Sequence, residues 1–155
     1  MNYLPRTIQP VIEEASKFFK IVMVSGMRQV GKSTLLKQLS SDKRTIISFD
    51  DISNLEAAKS APLQFLQLNP PPCFFDEVQR VPEIFRALKI IVDSRSDKGL
   101  YWLSGSQKLS LMSQVSDALP GRLMNFELWP FSIYEIAGKG LEQKPYLPSF
   151  SLSSS

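Results

Sequence analysis

The sequence predicts an α/β fold in which a parallel β-sheet is covered by helices on both faces. Short apolar runs alternate with segments whose apolar residues recur at helical spacing. Alternation of this kind joins parallel strands through crossover helices, which places helices on both sides of the sheet. The chain has 155 residues, of which 43% are hydrophobic and 21% charged, as is usual for one globular domain.

Five apolar runs are predicted to form the strands of the sheet. The first, Lys20-Ile21-Val22-Met23-Val24-Ser25, is rich in β-branched residues and stops at Gly26, which is typical of a buried parallel strand. The third stops at two carboxylates, and the fourth runs into a Ser-Gly-Ser sequence. The predicted strands are residues 20–25, 45–49, 73–75, 100–103 and 123–128.

Helices are predicted before the first strand and between successive strands. The run at 54–68 is expected to be broken by Pro62, and the Asn-Pro-Pro-Pro sequence at 69–72 must be a loop. The predicted helices are residues 9–19, 32–39, 54–68, 82–94 and 111–119. After Pro130 the pattern weakens, so residues 1–137 are predicted to form one domain and residues 138–155 an irregular, mobile C-terminal tail.

Composition excludes several classes of site. No histidine is present, which excludes histidine metal sites and His-dependent triads. The net charge of +3 comes from scattered basic residues, so no nucleic-acid interface is indicated. The single cysteine, Cys73, cannot form an internal disulfide and is predicted to lie in the core. Without a signal peptide or an apolar run of about 20 residues, the expectation is a cytoplasmic protein with no membrane partner.

The segment after the first strand has the residues of a phosphate-binding loop. Residues 26–33 read Gly-Met-Arg-Gln-Val-Gly-Lys-Ser and match G-x-x-x-x-G-K-[ST] at every fixed position, between a strand and a helix. Glycines let the backbone turn its N–H groups toward a phosphate, and the helix start adds positive partial charge. Lys32 is expected to reach the β- and γ-phosphates, Ser33 to bind Mg²⁺, and Thr34 to lie beside the α-phosphate. The remaining predicted nucleotide-binding residues are Gly26, Arg28, Gln29, Val30 and Gly31, with solvent exposure an equal alternative for Arg28 and Gln29.

The third strand ends in Asp76 and Glu77. Ligands of parallel sheets bind beyond the carboxyl ends of the strands, so these carboxylates are expected near the phosphate loop if their strand is its neighbour. Asp76 is the predicted magnesium-side carboxylate, acting through a water, and Glu77 the predicted general base for an attacking water. The alternative is two solvated acids that open a helix.

With these motifs in place, the sequence resembles the AAA-type ATPase domain of prokaryotic ATP-binding proteins over about residues 1–137. The resemblance implies a P-loop NTPase three-layer sandwich with a five-stranded parallel sheet and Walker A and Walker B motifs. The segments that carry it occur in order as Gly26-x-Arg28-Gln29-Val30-Gly31-Lys32-Ser33, Phe74-Phe75-Asp76-Glu77-Val78-Gln79, Leu103-Ser104-Gly105-Ser106, Gly121-Arg122 and Leu128-Trp129-Pro130-Phe131-Ser132.

The resemblance implies three things beyond the motifs themselves. The 100–103 strand separates the acidic strand from the phosphate-loop strand, which replaces the neighbour assumption. Ser104 or Ser106 matches a polar sensor that touches the γ-phosphate or the attacking water, with a plain turn as the alternative. Arg122 matches an arginine finger that acts on a neighbouring subunit of a homo-oligomer, with an ordinary surface residue as the alternative.

The chain departs from the family after the fifth strand. Family members usually continue into a helical lid and a separate C-terminal domain, whereas this chain ends at Ser155, so we expect a fragment or a shortened protein. The sequence Trp129-Pro130-Phe131 is either an exposed docking patch for such a domain or a segment folded back over the sheet.

The resulting functional hypothesis is an ATPase that hydrolyses Mg-ATP and drives a conformational change in a partner or a C-terminal domain. One alternative is a nucleotide-binding module that does not hydrolyse ATP. Another is a small P-loop kinase, which the single arginine in residues 107–135 disfavours. The preference for ATP over GTP follows from the resemblance and from the lack of a guanine-reading Asn/Thr-Lys-x-Asp motif.

Overall fold

A computed structural model of the chain describes residues 6–27, 30–106, 108–130, 133–138 and 140–142. Five parallel strands form one sheet in the order β2-β3-β4-β1-β5. The strands are β1 (Ile21–Gly26), β2 (Thr45–Ser48), β3 (Cys73–Asp76), β4 (Tyr101–Ser106) and β5 (Leu123–Leu128). The predicted fold class is confirmed, and so is the strand order that the resemblance implied, since β4 lies between β3 and β1.

Helices connect the strands on both faces of the sheet. The described α-helices are α1 (Gln9–Ala15), α2 (Lys32–Ser40), α3 (Ile52–Ser60), α4 (Pro62–Leu68), α5 (Ile84–Asp93), α6 (Leu109–Ala118) and α7 (Ile133–Ile136), and short 3₁₀ helices cover Val78–Arg80 and Gly140–Glu142. Pro62 begins α4 at a position where its missing N–H costs no hydrogen bond, which explains the predicted break. None of the described helices has both the length and the apolar character that crossing a bilayer requires.

Side-chain alternation along β1 divides the interior into two cores. Ile21 and Met23 point to one face, where they pack with residues of the α3–α6 helices. Val22 and Val24 point to the other face, where they pack with residues of α1 and α2. Because all six residues of β1 are buried, the strand lies at the centre of a three-layer sandwich, as the uninterrupted apolar run predicted.

Two predicted boundaries are wrong by three residues or more. The first helix was predicted over residues 9–19, but α1 ends at Ala15, and the N–H groups of Lys17 and Phe18 donate to carbonyls three residues back in a tighter turn. Phe18 is 44% exposed, so its apolar character does not mark the buried face of a helix. The fourth strand was predicted to stop at Leu103, but it continues to Ser106.

The extension of β4 comes from pairing with its neighbour. Ser104, Gly105 and Ser106 lie in register with Val24, Ser25 and Gly26 of β1. Serine and glycine have low intrinsic preference for strands, and the tertiary pairing overrides that preference. The turn interpretation of this Ser-Gly-Ser sequence is therefore wrong, and both serines are held on a regular strand at the carboxyl edge of the sheet.

Candidate functional site

The phosphate loop joins the end of β1 to the start of α2, and both of its glycines are required by the backbone. A Cβ on Gly26 would lie 2.7 Å from the carbonyl oxygen of Leu128 on the neighbouring strand. Gly31 precedes α2 with a φ of 96°, in the left-handed region that favours glycine. Arg28 and Gln29, two of the predicted nucleotide-binding residues, lie outside the described residues.

The side chain of Val30 does not point toward the nucleotide position that was predicted for it. Its side chain is 6% exposed and packs in the core between the sheet and α2, beside Leu35. Only its backbone is therefore available to the loop, and its carbonyl oxygen accepts a hydrogen bond from Nη1 of Arg6 at 2.7 Å. If Val30 contacts a nucleotide, it can therefore do so only through its backbone peptide groups.

Lys32 carries its charge into the loop. The side chain is buried, and Nζ donates to the carbonyl oxygens of Gly26 at 2.7 Å and Met27 at 2.9 Å. Burial lowers the pKa of Lys32, and the nearby charges of Glu77 and Asp76 partly offset that effect. The ammonium group therefore lies among loop carbonyls, near the acidic end of β3.

Asp76 connects the phosphate loop to the intervening strand. Its Oδ1 accepts a hydrogen bond from the Ser33 hydroxyl at 2.5 Å and another from the Ser104 hydroxyl at 2.5 Å. The residue is 5% exposed, so the alternative of a solvated acid is wrong for Asp76. The oxygen atoms of a serine hydroxyl and a carboxylate are hard ligands, and a close pair of them fits the ligand preference of Mg²⁺.

Glu77 has an unusual backbone conformation. Its φ of 64° and ψ of 48° lie in the left-handed region, which is costly for a residue with a Cβ. Its backbone N–H donates to the Ser104 hydroxyl oxygen at 3.1 Å. Ser104 therefore holds both acidic residues, because its one hydroxyl proton is donated to Asp76 and its oxygen accepts from Glu77.

Gln79 is the last residue of a segment that carries the resemblance, but no role in the site was predicted for it. Its Nε2 donates to Oε2 of Glu77 in a short hydrogen bond, and its Oε1 accepts from the backbone N–H of Ser106 at 3.2 Å. The amide thus ties the Glu77 carboxylate to the end of β4. A glutamine two residues beyond an acidic strand has no periodic signal of its own, and only its tertiary contacts distinguish it.

The two serines at the end of β4 differ in hydrogen-bonding capacity. Ser104 is fully buried, and its hydroxyl is used as both donor and acceptor. The Ser106 hydroxyl has no hydrogen-bond partner among the described residues, and Ser106 lines the cleft above the loop. Of the two residues predicted as the polar sensor, Ser106 is therefore the one whose hydroxyl is still unpartnered within the described part of the chain, although the oxygen atom itself is buried in this structure.

A cleft of about 610 Å³ lies above the phosphate loop. It contains two cations that the motifs did not indicate, of which Arg80 is paired with Asp50 at 2.9 Å and Lys108 precedes α6. The lining residues are Gly31, Lys32, Ser33, Thr34, Glu77, Gln79, Arg80, Ser106 and Lys108. Thr34 therefore lines the same cleft as Ser33, and its place beside the α-phosphate stays a prediction.

Arg122 is not part of this cleft. Its carbonyl oxygen accepts from the N–H of Ile21, at the amino end of β1, whereas the loop begins at the carboxyl end. The rise of the strand puts roughly 17 Å between these ends. The guanidinium group pairs with Asp93 at 2.5 Å, and this contact raises the pKa of Arg122. The structure therefore does not bring Arg122 to the phosphate loop of its own chain.

Comparison with known proteins gives a family match over most of the chain. A family model described as an AAA domain matches residues 18–137. Two uncharacterized proteins, one from Mycobacterium bovis and one from Mycobacterium tuberculosis, are each 27% identical over 124 residues. Each match covers 79% of this chain and 28% of the relative, so the matched part is little more than a quarter of these curated relatives.

Proposed function

The chain belongs to the AAA domain family, whose members are nucleotide-binding ATPases, and from that premise we propose that this domain hydrolyses Mg-ATP. The observation that carries the proposal is the convergence of Lys32, Ser33, Asp76 and Glu77 at one edge of the sheet. In the whole protein, hydrolysis would drive a conformational change in a C-terminal domain or another partner.

The proposed reaction is attack of water on the γ-phosphorus, with cleavage of the bond to the β–γ bridging oxygen. Lys32 leaves its loop carbonyls to contact the β- and γ-phosphate oxygens, and Thr34 lies toward the α-phosphate. Ser33 and Asp76 would hold Mg²⁺, which when bound neutralises phosphate charge. Glu77 orients the attacking water and takes its proton, while ADP departs with the electron pair of the broken bond.

The hydrogen bonds at the end of β4 support a division of roles between its serines. Ser104 acts as an anchor that orients Asp76 and the Glu77 backbone, since its hydroxyl is already used. Ser106 acts as the sensor that contacts the γ-phosphate or the attacking water. Gln79 places the Glu77 carboxylate relative to that sensor.

Arg122 supports the proposal only as a finger that acts in trans. At the amino edge of the sheet it is too far from its own phosphate loop, so the site that it completes must belong to a neighbouring copy. A homo-oligomer follows from this role. In the single chain, the ion pair with Asp93 holds the guanidinium group of Arg122 on the surface.

The decisive experiment is Mg²⁺-dependent release of inorganic phosphate from ATP, measured against protein concentration. Glu77→Gln is the matched control, because it keeps the shape of the side chain and removes the base. We expect wild-type turnover at least 100-fold above that variant. Turnover equal to that of the variant would contradict hydrolysis, and ATP binding without turnover would identify a non-hydrolysing module instead.

The trans finger is tested in the same assay. Specific activity should rise with protein concentration in the wild type and stay low and flat in Arg122→Ala. Asp93→Asn is the control, because it breaks the ion pair and keeps the arginine. If Asp93→Asn loses activity as fully as Arg122→Ala, the ion pair matters and the finger role is wrong.

A further inference from the structure

Arg6 is a buried arginine that joins three separate parts of the chain. It is 2% exposed and lies before α1. Nη1 donates to the carbonyl oxygen of Val30 in the phosphate loop at 2.7 Å. Nη2 donates to the carbonyl oxygen of Trp129 just after β5, and Nε donates to Oε2 of Glu135 in α7 at 2.9 Å. One guanidinium group therefore holds the amino-terminal segment, the loop and the segment beyond the sheet together.

The charge of Arg6 is compensated locally. The Glu135 side chain is 8% exposed, and its Oε2 also accepts from the backbone N–H of Thr7 at 2.8 Å. Removing one partner of a buried ion pair leaves the other charge without compensation, which is strongly unfavourable. The two side chains therefore form one unit, and the planar fork of arginine is needed because lysine cannot direct hydrogen bonds to three acceptors in that geometry.

The contact with Val30 fixes more than one atom of the loop. The carbonyl oxygen of residue 30 and the N–H of Gly31 belong to the same planar trans peptide group and point in opposite directions. A Cβ on Gly31 would lie 3.2 Å from Nη1 of Arg6, so the guanidinium packs directly against this peptide. With the oxygen held toward Arg6, the N–H of Gly31 must point away from it.

We propose that Arg6 is a positioning residue for the phosphate loop, and that its pair with Glu135 couples the shape of the loop to the segment after β5. This inference rests on the proposed nucleotide binding. Arg6 orients the Gly31 N–H for a phosphate oxygen without touching the nucleotide itself. A ligand that fixes the loop also fixes the Val30 carbonyl, and through Arg6 it steadies Trp129 and Glu135.

The test is the dissociation constant of a fluorescent ADP, measured well below the melting temperature of each variant. We expect Arg6→Lys to weaken binding about tenfold, the effect of one lost hydrogen bond to a charged group. The matched control is Arg44→Lys. Arg44 is a half-buried arginine, stacked 4.0 Å over Trp102 and bonded to the Gly99 carbonyl at the amino edge of the sheet. Its replacement should lower the melting temperature and leave binding within twofold of the wild type.

Two further measurements keep the inference testable if Arg6→Lys does not fold. Glu135→Gln, which keeps an oxygen acceptor, should weaken ADP binding about threefold. In the wild type, ADP should slow backbone hydrogen exchange at Thr7 and across residues 133–136. Unchanged affinity in Arg6→Lys or Glu135→Gln, or unchanged exchange at these amides, would overturn the inference while the wild type still binds ADP. Failure of the wild type to bind any adenine nucleotide would instead overturn the proposed function, and this inference with it.

Discussion

Replacing Ser104 with alanine tests whether one hydroxyl holds the acidic end of β3 together. The residue is fully buried, so no water can take the place of the lost oxygen without opening the core. Asp76 would lose one of the two hydroxyl donors on its Oδ1, and the N–H of Glu77 would lose its acceptor. A hydrogen bond to a charged group contributes about 1.5–3 kcal/mol, and a stranded buried donor costs about 1–3 kcal/mol. We therefore expect Ser104→Ala to lower the free energy of unfolding by about 3 kcal/mol.

The assay is urea unfolding at pH 7 without nucleotide, so that stability is measured apart from ligand binding. Ser40→Ala is the matched control. Ser40 is equally buried, but its hydroxyl donates to the neutral carbonyl oxygen of Leu36, within the same helix. Alanine is the better helix former at that position, so its cost should stay below about 1 kcal/mol. A Ser104→Ala variant no less stable than Ser40→Ala would refute the anchoring role of the Ser104 hydroxyl.

Three other predictions follow, one from the same contacts and two from the burial of Cys73. Gln79→Leu removes the amide that joins Glu77 to β4, so the kcat for ATP should fall about tenfold while the Kd for ATP stays within twofold; an equal change in both would contradict a positioning role. Burial raises the pKa of Cys73 from 9.0 to about 11, so a thiol reagent at pH 8 should label it only after unfolding by urea. Because the folded pKa is the higher one, Cys73 favours folding below pH 9, and the stability of wild type relative to Cys73→Ala should fall between about pH 9 and 11.

The sheet could be predicted because its strands are buried on both faces. A strand such as β1 then appears as an unbroken apolar run, and the polar residue at its end marks the edge where ligands bind. The end of β4 could not be predicted from composition, since Ser104 and Ser106 are in a strand only because β1 pairs with them. The prediction of where α1 ends was wrong for a related reason, because an apolar residue such as Phe18 can follow a helix without belonging to it.

The site was predictable where a motif fixes both residue type and spacing. The loop glycines, Lys32, Ser33 and the two carboxylates are such residues. Of these, Gly31, Lys32, Ser33 and Glu77 line one cleft, and Asp76 is hydrogen-bonded to Ser33. The roles of Gln79 and Arg6 could not be found in this way, because they depend on contacts between residues far apart in the chain. Which hydrogen bonds the hydroxyls of Ser104 and Ser106 make likewise depends on their tertiary neighbours.

The position of β1 within the sheet has a consequence for synthesis of the chain. β1 is the first strand to be made, yet its two neighbours are β4 and β5, the last two. About 100 residues separate the end of β1 from the start of β5, which corresponds to roughly 5–20 s of translation. For most of that interval, until β4 has been made, the Ile-Val-Met-Val run has neither edge paired, and such a segment is prone to association with other chains. The residues that line the cleft run from Gly31 to Lys108, so under the proposed function a nascent chain would gain no stabilisation from nucleotide until β4 has been made.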